Sequence, residues 1–389
     1  MSRSNWLKTT AMTAALAGAV FASGTAAAEN FKVGYAGGFT GYLAPYDQPS
    51  LKGVQLAIDE INAAGGIGGT MPIELIVKDT RSDTAQAAVV AQELVDDGVS
   101  VMIVSCDVDP AVASGVIAQA AEIPSVSSCA STPTLPAAVG PYMFSNYTAD
   151  NLQATVLATY AREQGLENAY VLLSRDTPYT EKLPEYFAEV FAAMGGNVAA
   201  IGEFTIGQQD FSAEVTNIKG LDPQPDVIMT AAYEPDFPAF LKQLRAAGIT
   251  AQVLGSDGID SPTTFGLGDV AEGVIFSNAG FPSEGSPLAA YEAAYEAKYG
   301  EPNDTVFTAT GYDAMLIIAA AVEAAGSTDG AAIRDAWDNL ENVQVATGTM
   351  TYKGQNRVPV RVVALNKVSG GERVHVGDFT PDPSQIPAP

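Results

Sequence analysis

VSVMIVSCDVDPAVASGVIAQAAEIPSVS, residues 99–127, decides the fold. Its opening, VSVMIV, is almost uninterrupted apolar chain, the pattern of a strand covered on both faces. The chain then turns through SCDVDP into a run over 110–121 that reads as a helix, and a short strand follows near 124–127. Strand, helix and strand in that order imply parallel pairing with helices packed on the sheet. The same alternation holds upstream. FKVGYA at 31–36 and IELIVK at 73–78 read as strands. PSLKGVQLAIDEINAA at 49–64 reads as a helix, with Leu51, Val54, Leu56, Ile58 and Ile61 as its apolar positions, and 84–97 reads as the next.

A second series follows. Helices are expected over 152–164, 183–194, 211–219 and 236–247, and strands over 169–173, 198–204, 226–230 and 252–255. The character changes around 276–281, before two long helices at 287–299 and 308–325. Residues 348–376 alternate as β-hairpins do, with VPVRVVAL (358–365) the clearest strand, and the Pro-rich tail TPDPSQIPAP is expected to be loosely ordered. The expected fold class is therefore α/β, two doubly wound lobes joined by several crossings.

The first thirty residues set the compartment. Arg3 and Lys8 precede a short apolar run, AMTAALAGAVFA at 11–22, and Ala26, Ala27 and Ala28 form an A-x-A site before Glu29. This is the pattern of a cleaved secretory signal, residues 1–28, and the run is too short to span a bilayer. No cysteine stands at the cleavage point, so no lipid anchor is expected there. After the signal no apolar run reads as long enough for a membrane span. The remaining chain of about 360 residues exceeds what one core normally supports, which again argues for two lobes.

With 19 basic and 45 acidic residues the net charge is −26. Loss of Arg3 and Lys8 makes it more negative still. Such a surface argues against nucleic acid and anionic membranes as partners, and its plainest meaning is solubility. Cys106 and Cys129 enter an oxidising space, where pairing is the usual outcome, contributing about 3 kcal/mol on a loop-entropy basis. The alternative is a redox-active or metal-binding pair, which the absence of CxxC spacing and the single histidine disfavour.

Catalysis finds little support. AAGGIGGT (63–70) follows a helix and precedes a strand, the reverse of a phosphate loop, and reads as a turn. His375, the only histidine, lies in the late hairpin region, and no GxSxG, HExxH or EF-hand spacing occurs. The loops at strand C-termini say more, because ligands of doubly wound sheets sit there. They are GGFTGYLAPY (37–46), SCDVDP (105–110), SSCASTP (127–133), AAYEPD (231–236) and GSDG (255–258). Hydroxyls and backbone amides suit a carboxylate, acids suit an ammonium, and tyrosines make walls with polar tips.

GYAGGFTGYLAPY (34–46) with KGVQLAIDEINAAGGIGG (52–69), SVSSCASTP (125–133) and AAYEPDFPAFLKQLRAAGITAQVLGSDGI (231–259) resemble the periplasmic substrate-binding proteins of branched-chain amino acid ABC transporters. The likeness runs over the chain beyond the signal and is weakest in the final hairpins. It implies the type I periplasmic binding protein fold, two lobes closing on a solute about a hinge of three crossovers. One lobe would comprise 29–147 plus 279–347, the other 148–278 plus 348–380, with 381–389 a flexible tail.

The resemblance also implies a site. Ser131 falls where a family hydroxyl helps hold the amino and carboxyl groups of the ligand, and Asp257 where a family acid pairs with its ammonium. Tyr46, Tyr179 and Tyr233 fall on cleft-lining positions and Phe307 on another wall, although Tyr179 and Phe307 also suit plain core packing. One departure stands out. Where the family offers a serine and backbone amides to the ligand carboxylate, this chain carries Asp107 and Asp109, which would repel one. Either these acids point away or the ligand carries an extra positive or hydroxyl group. A Cys106–Cys129 bridge would brace the pocket rim. The implied function is a periplasmic receptor, acting as a monomer, that delivers a small amino-acid-like solute to ABC permease subunits, with no cofactor, metal or nucleic acid. The alternative is a ligand-sensing regulator of the same fold, binding an amide, an aromatic acid or a cationic solute. A secreted enzyme is the weakest reading.

Overall fold

Every residue of Val101–Val104 is buried, as an apolar strand in the middle of a sheet requires. The computed structural model describes residues 30–234 and 236–389; the expected signal peptide lies outside them. The first sheet is built from β1 (Phe31–Gly37), α1 (Ala44–Ala63), β2 (Ile73–Asp79), α2 (Thr84–Asp96), β3 (Val101–Val104), α3 (Val108–Ala120), β4 (Ser125–Ser127), α4 (Leu135–Val139) and β5 (Met143–Ser145). Its order is β2-β1-β3-β4-β5, parallel throughout. The second lobe opens with α5 (Asp150–Glu163), β6 (Asn168–Leu173), α6 (Pro178–Ala193), β7 (Asn197–Glu203), α7 (Ser212–Lys219) and β8 (Val227–Thr230). It continues through α8 (Asp236–Ala246), β9 (Gln252–Gly255), α9 (Pro262–Phe265) and β10 (Ile275–Asn278).

The chain then returns to the first lobe with α10 (Pro287–Tyr299), α11 (Phe307–Ala325), α12 (Gly330–Asp338) and the hairpin β11 (Val343–Val345) and β12 (Gly348–Met350). It ends on β13 (Val363–Ser369) and β14 (Glu372–Phe379), which extend the second sheet to β14-β13-β10-β9-β8-β6-β7. β13 and β14 pair antiparallel there, while the strands from β10 to β7 run parallel.

Three segments cross between the lobes: 146–149, 279–286 and 351–362. Arg361, 5% exposed, sits where they meet. Its guanidinium donates to the Asn146 carbonyl and the Thr347 hydroxyl and lies 3.7 Å from the buried Asp313. The expected lobe boundary at 347/348 falls inside the β11–β12 hairpin. Met350 and Tyr352 pack with Phe144 and Trp337 in the first core, so the chain reaches the second sheet only at Val363. The expected strand 358–365 is shortened for the same reason, because Arg361 is drawn into the hinge. The tail is placed more firmly than its composition suggested: Pro387 is buried and its carbonyl accepts from Asn151 Nδ2 at 2.8 Å.

α11 is long and apolar enough to cross a membrane, a run the reading above did not count, but most of it is buried against α1 and the first sheet. The two helices meet through glycine. A Cβ on Gly53 would strike the Thr308 carbonyl, and one on Gly311 the Ser50 carbonyl. This contact sets the position of Phe307 at the start of α11 relative to Tyr46 at the start of α1. Gly311→Ala is expected to cost about 1–3 kcal/mol through overpacking, read as a melting point lowered by several degrees. An unchanged melting point would show that the helices separate freely.

Candidate functional site

In both sheets the strand order reverses beside one strand, β1/β3 in the first lobe and β6/β8 in the second. Loops diverge at such points and leave a crevice at the strand C-termini. Here the two crevices face each other. Between them a narrow gap of about 20 Å³ is lined by Leu43, Tyr46, Cys106, Cys129 and Phe307 from one lobe and Tyr179, Tyr233, Asp257 and Gly258 from the other. That volume holds little more than one water, so the lobes are closed on each other. The Tyr46 hydroxyl spans the gap, donating to the Gly258 carbonyl and accepting from the Glu234 amide, both at 3.1 Å. Asp260 adds a second tie, accepting from the Val306 amide at 2.7 Å.

The walls are mostly aromatic. Tyr179 and Tyr233 stack with centroids 5.1 Å apart, Tyr46 lies 5.4 Å from Tyr233, and Phe307 meets Tyr46 edge-on at 5.1 Å. The Tyr179 hydroxyl accepts from the Gly258 amide at 2.9 Å and sits 2.5 Å from Ser256 Oγ. With Ser256 donating, its own proton goes to Asp257 Oδ1 at 3.2 Å. Asp257 stands in a single helical turn, Asp257–Ile259, directly after β9 and is 3% exposed. Cys106 and Cys129, at the ends of β3 and β4, are joined by a disulfide with Cα atoms 4.7 Å apart.

Of the expected site residues, the structure brings Tyr46, Tyr179, Tyr233, Asp257 and Phe307 to one wall. Asp107 stands just behind it, buried, as the N-cap of α3: Oδ1 accepts from the Val108 amide at 2.6 Å and Oδ2 from the Tyr42 hydroxyl at 3.0 Å. Asp109 does not belong. Two residues further into the first turn it points to solvent, the usual fate of an acid on the outer face of a helix start. Ser131 is buried but is not among the lining residues; its loop folds back so that its carbonyl accepts from the Asp150 amide at 2.8 Å. Leu43, Tyr42 and Gly258 were inside loops singled out above but not chosen from them. Asp150 was missed altogether, and its one signal was an acid opening a helix at a lobe crossing. His375 lies away from the cavity, 3.0 Å from Asp378 and stacked on Phe281.

A family model described as periplasmic binding protein matches residues 30–372. The Leucine-, isoleucine-, valine-, threonine-, and alanine-binding protein of Pseudomonas aeruginosa is 27% identical over 343 residues, covering 87% of this chain and 90% of that one. Among solved structures, the branched-chain amino acid transporter substrate binding protein LivJ of Streptococcus pneumoniae, in complex with isoleucine, superposes with a TM-score of 0.84 at 26% identity, covering 91% of this chain and all of that one. A solute binding protein of R. palustris in complex with benzoate shares the fold at a TM-score of 0.80, with 21% identity and coverage of 90% and 96%.

The electrostatics of the cavity are one-sided. Burial pushes Asp257 up to about 7; its own amide, Tyr179 and Gln153 oppose the shift and Asp260 adds to it. Burial likewise lifts Asp107 to about 6 against the Val108 amide and the Tyr42 hydroxyl. Asp47, tied to the Gly38 and Cys106 amides, is also raised to about 6 by burial. Asp150 is raised well above the usual carboxylate range, by burial first and then by the charges of Asp257 and Asp107, with Ser131 opposing. Neither Asp150 oxygen has a hydrogen-bond partner among the described residues. Among the described residues, no lysine, arginine or histidine lines the cavity. An acid with a folded value above its unfolded one, about 3.9, binds more protons when folded. Its stabilisation is complete below about pH 4 and is lost as pH rises through the folded value. The unliganded protein should therefore melt at a lower temperature at pH 8 than at pH 5, and Asp257→Asn should flatten that slope. A melting point that climbs over this range would contradict the assignment.

Proposed function

The chain belongs to the periplasmic binding protein family, and on that premise we propose that it is the exported receptor of an ABC importer. It captures a small amine-bearing, amino-acid-like solute between its lobes and presents the closed complex to a membrane permease. Release into the periplasm follows from the signal-like residues 1–28. The single observation that carries this reading is the gap lined by both lobes and bridged by Tyr46, which must widen to admit a solute. Its polar groups hold and orient; the chain's only histidine stands elsewhere, which supports binding without chemistry.

Micromolar capture requires about −8 kcal/mol. A buried ligand charge reaches that only when it is paired inside a site that excludes water. Asp257 supplies the counter-charge for an ammonium, Tyr179 holds that carboxylate in place, and the rings exclude solvent. Closure about Arg361 and the three crossing segments then becomes a population shift, because solute binds the closed arrangement better than the open one.

Two measurements test this. In a thermal-shift screen over amino acids, amides, aromatic acids and amines, at least one compound should raise the melting point in a saturable manner. For that compound, Asp257→Asn should weaken binding well over tenfold by calorimetry with the fold retained by circular dichroism. Tyr46→Phe should also weaken it and should enlarge the liganded particle by X-ray scattering. An unchanged dissociation constant for Asp257→Asn would remove that residue from the site, and a screen with no saturable compound would remove the receptor reading itself.

A further inference from the structure

In a closed cleft an amino acid is neutralised at both ends, and the carboxylate end needs donors. The N-terminus of α3, which opens directly behind Cys106 at the switch point of the first sheet, is where such donors converge, because the first amides of a helix have no partners of their own. In this chain that position is already taken. The Asp107 carboxylate caps α3 at 2.6 Å from the Val108 amide, and its other oxygen holds the Tyr42 hydroxyl. It is 1% exposed, so it does not swing out to solvent. A ligand carboxylate directed at that terminus would find the Val108 amide already engaged by an acid standing just behind the wall. Among the described residues it would find no compensating lysine, arginine or histidine on the walls.

What the walls do offer is suited to positive charge. Tyr46, Tyr179, Tyr233 and Phe307 surround the cavity, and aromatic faces attract a cationic nitrogen, most strongly in a site without water. Asp257 stands among these rings, 3% exposed, with a tyrosine hydroxyl already committed to one oxygen. Asp150, at the lobe crossing, is fully buried, and burial holds its carboxyl protonated, so it offers no competing charge. Arg361 and Arg373 are engaged with Asp313 and Asp260, and Arg357 on the third crossing is not among the residues lining the cavity. The cleft thus offers aromatic walls and one lining acid, Asp257, which burial holds near neutral until a cation arrives to pair with it.

We propose that the solute is a small organic cation, a protonated or alkylated amine carrying no carboxylate, with its nitrogen held by Asp257 inside the box of Tyr46, Tyr179, Tyr233 and Phe307. This rests on the receptor reading above but replaces its amino-acid-like solute with an amine that lacks the carboxylate. By occupying the Val108 amide, Asp107 would disfavour the branched-chain amino acids for which the relatives are named.

Matched pairs differing in the carboxylate test the proposal on the unaltered protein. Calorimetric titration would compare 3-methylbutylamine with leucine, and tetramethylammonium with glycine betaine. In at least one pair the carboxylate-free cation should bind tenfold tighter or more. Leucine, glycine betaine or benzoate binding more tightly than either cation would overturn the proposal while leaving the receptor reading intact. Saturable binding by none of these, nor by any compound of the wider screen, would overturn both. Asp107→Ser supplies the second arm. It vacates the α3 terminus and should raise leucine affinity relative to 3-methylbutylamine by at least tenfold, whereas an unchanged ratio would show that Asp107 does not select against carboxylates.

Discussion

One buried carboxylate organises the first lobe's half of the cleft. Asp47, fully buried in the first turns of α1, accepts from the Gly38 amide at 2.6 Å, the Cys106 amide at 3.0 Å and the Tyr35 hydroxyl at 3.3 Å. Gly38 follows β1 and Cys106 follows β3, so a single side chain holds both sides of the switch point. A buried acid is costly unless its hydrogen bonds are made, and here each bond pins a different segment. The neighbours of these anchor points are the residues that matter: Tyr46 beside Asp47, and Cys106 and Asp107 at the second anchor. The disulfide then carries the constraint on to Cys129 at the end of β4.

The second lobe repeats the principle with a hydroxyl in the organising role. Tyr179 receives the Gly258 amide and hands its proton to Asp257, fixing the turn after β9 against the start of α6. Because these bonds are internal to the lobe, the acid stays oriented when the lobes part. Tyr46 is different. Its partners, Glu234 and Gly258, lie across the gap, so its contacts exist only in the closed arrangement. The site is therefore divided between groups that wait in position and one that registers closure.

Most of the fold was legible in the alternation of apolar runs, because a parallel sheet covered on both faces leaves a period that composition alone reveals. The helix beginnings were not. Helices read as starting at Pro110, Leu152 and Leu183 begin instead at Val108, Asp150 and Pro178, and the helix read from Pro49 begins at Ala44. These first turns carry prolines, acids and tyrosines, which look like loop, yet proline is at home there because the first amides of a helix need no partner. Tyr46, Asp47, Asp150 and Tyr179 all stand on those unread turns; the helix pattern pointed to none of them, and Tyr46 and Tyr179 were placed by the family resemblance alone. Asp107 and Asp109 make the same point in two residues: one caps α3 from inside and the other faces water, a distinction of helical phase that spacing along the chain does not carry.

The three crossings have a consequence for how the chain comes into being. The core around β1, β3 and α1 is completed by α11, Trp337 and Tyr352, residues that follow the whole of the second sheet's parallel series. As synthesis proceeds, the opening segment leaves the ribosome with its main apolar face covered by α1 alone, its other partners still to be made. A polypeptide ordered in this way postpones its own collapse, and it can be threaded through a narrow pore before the late helices arrive to close it.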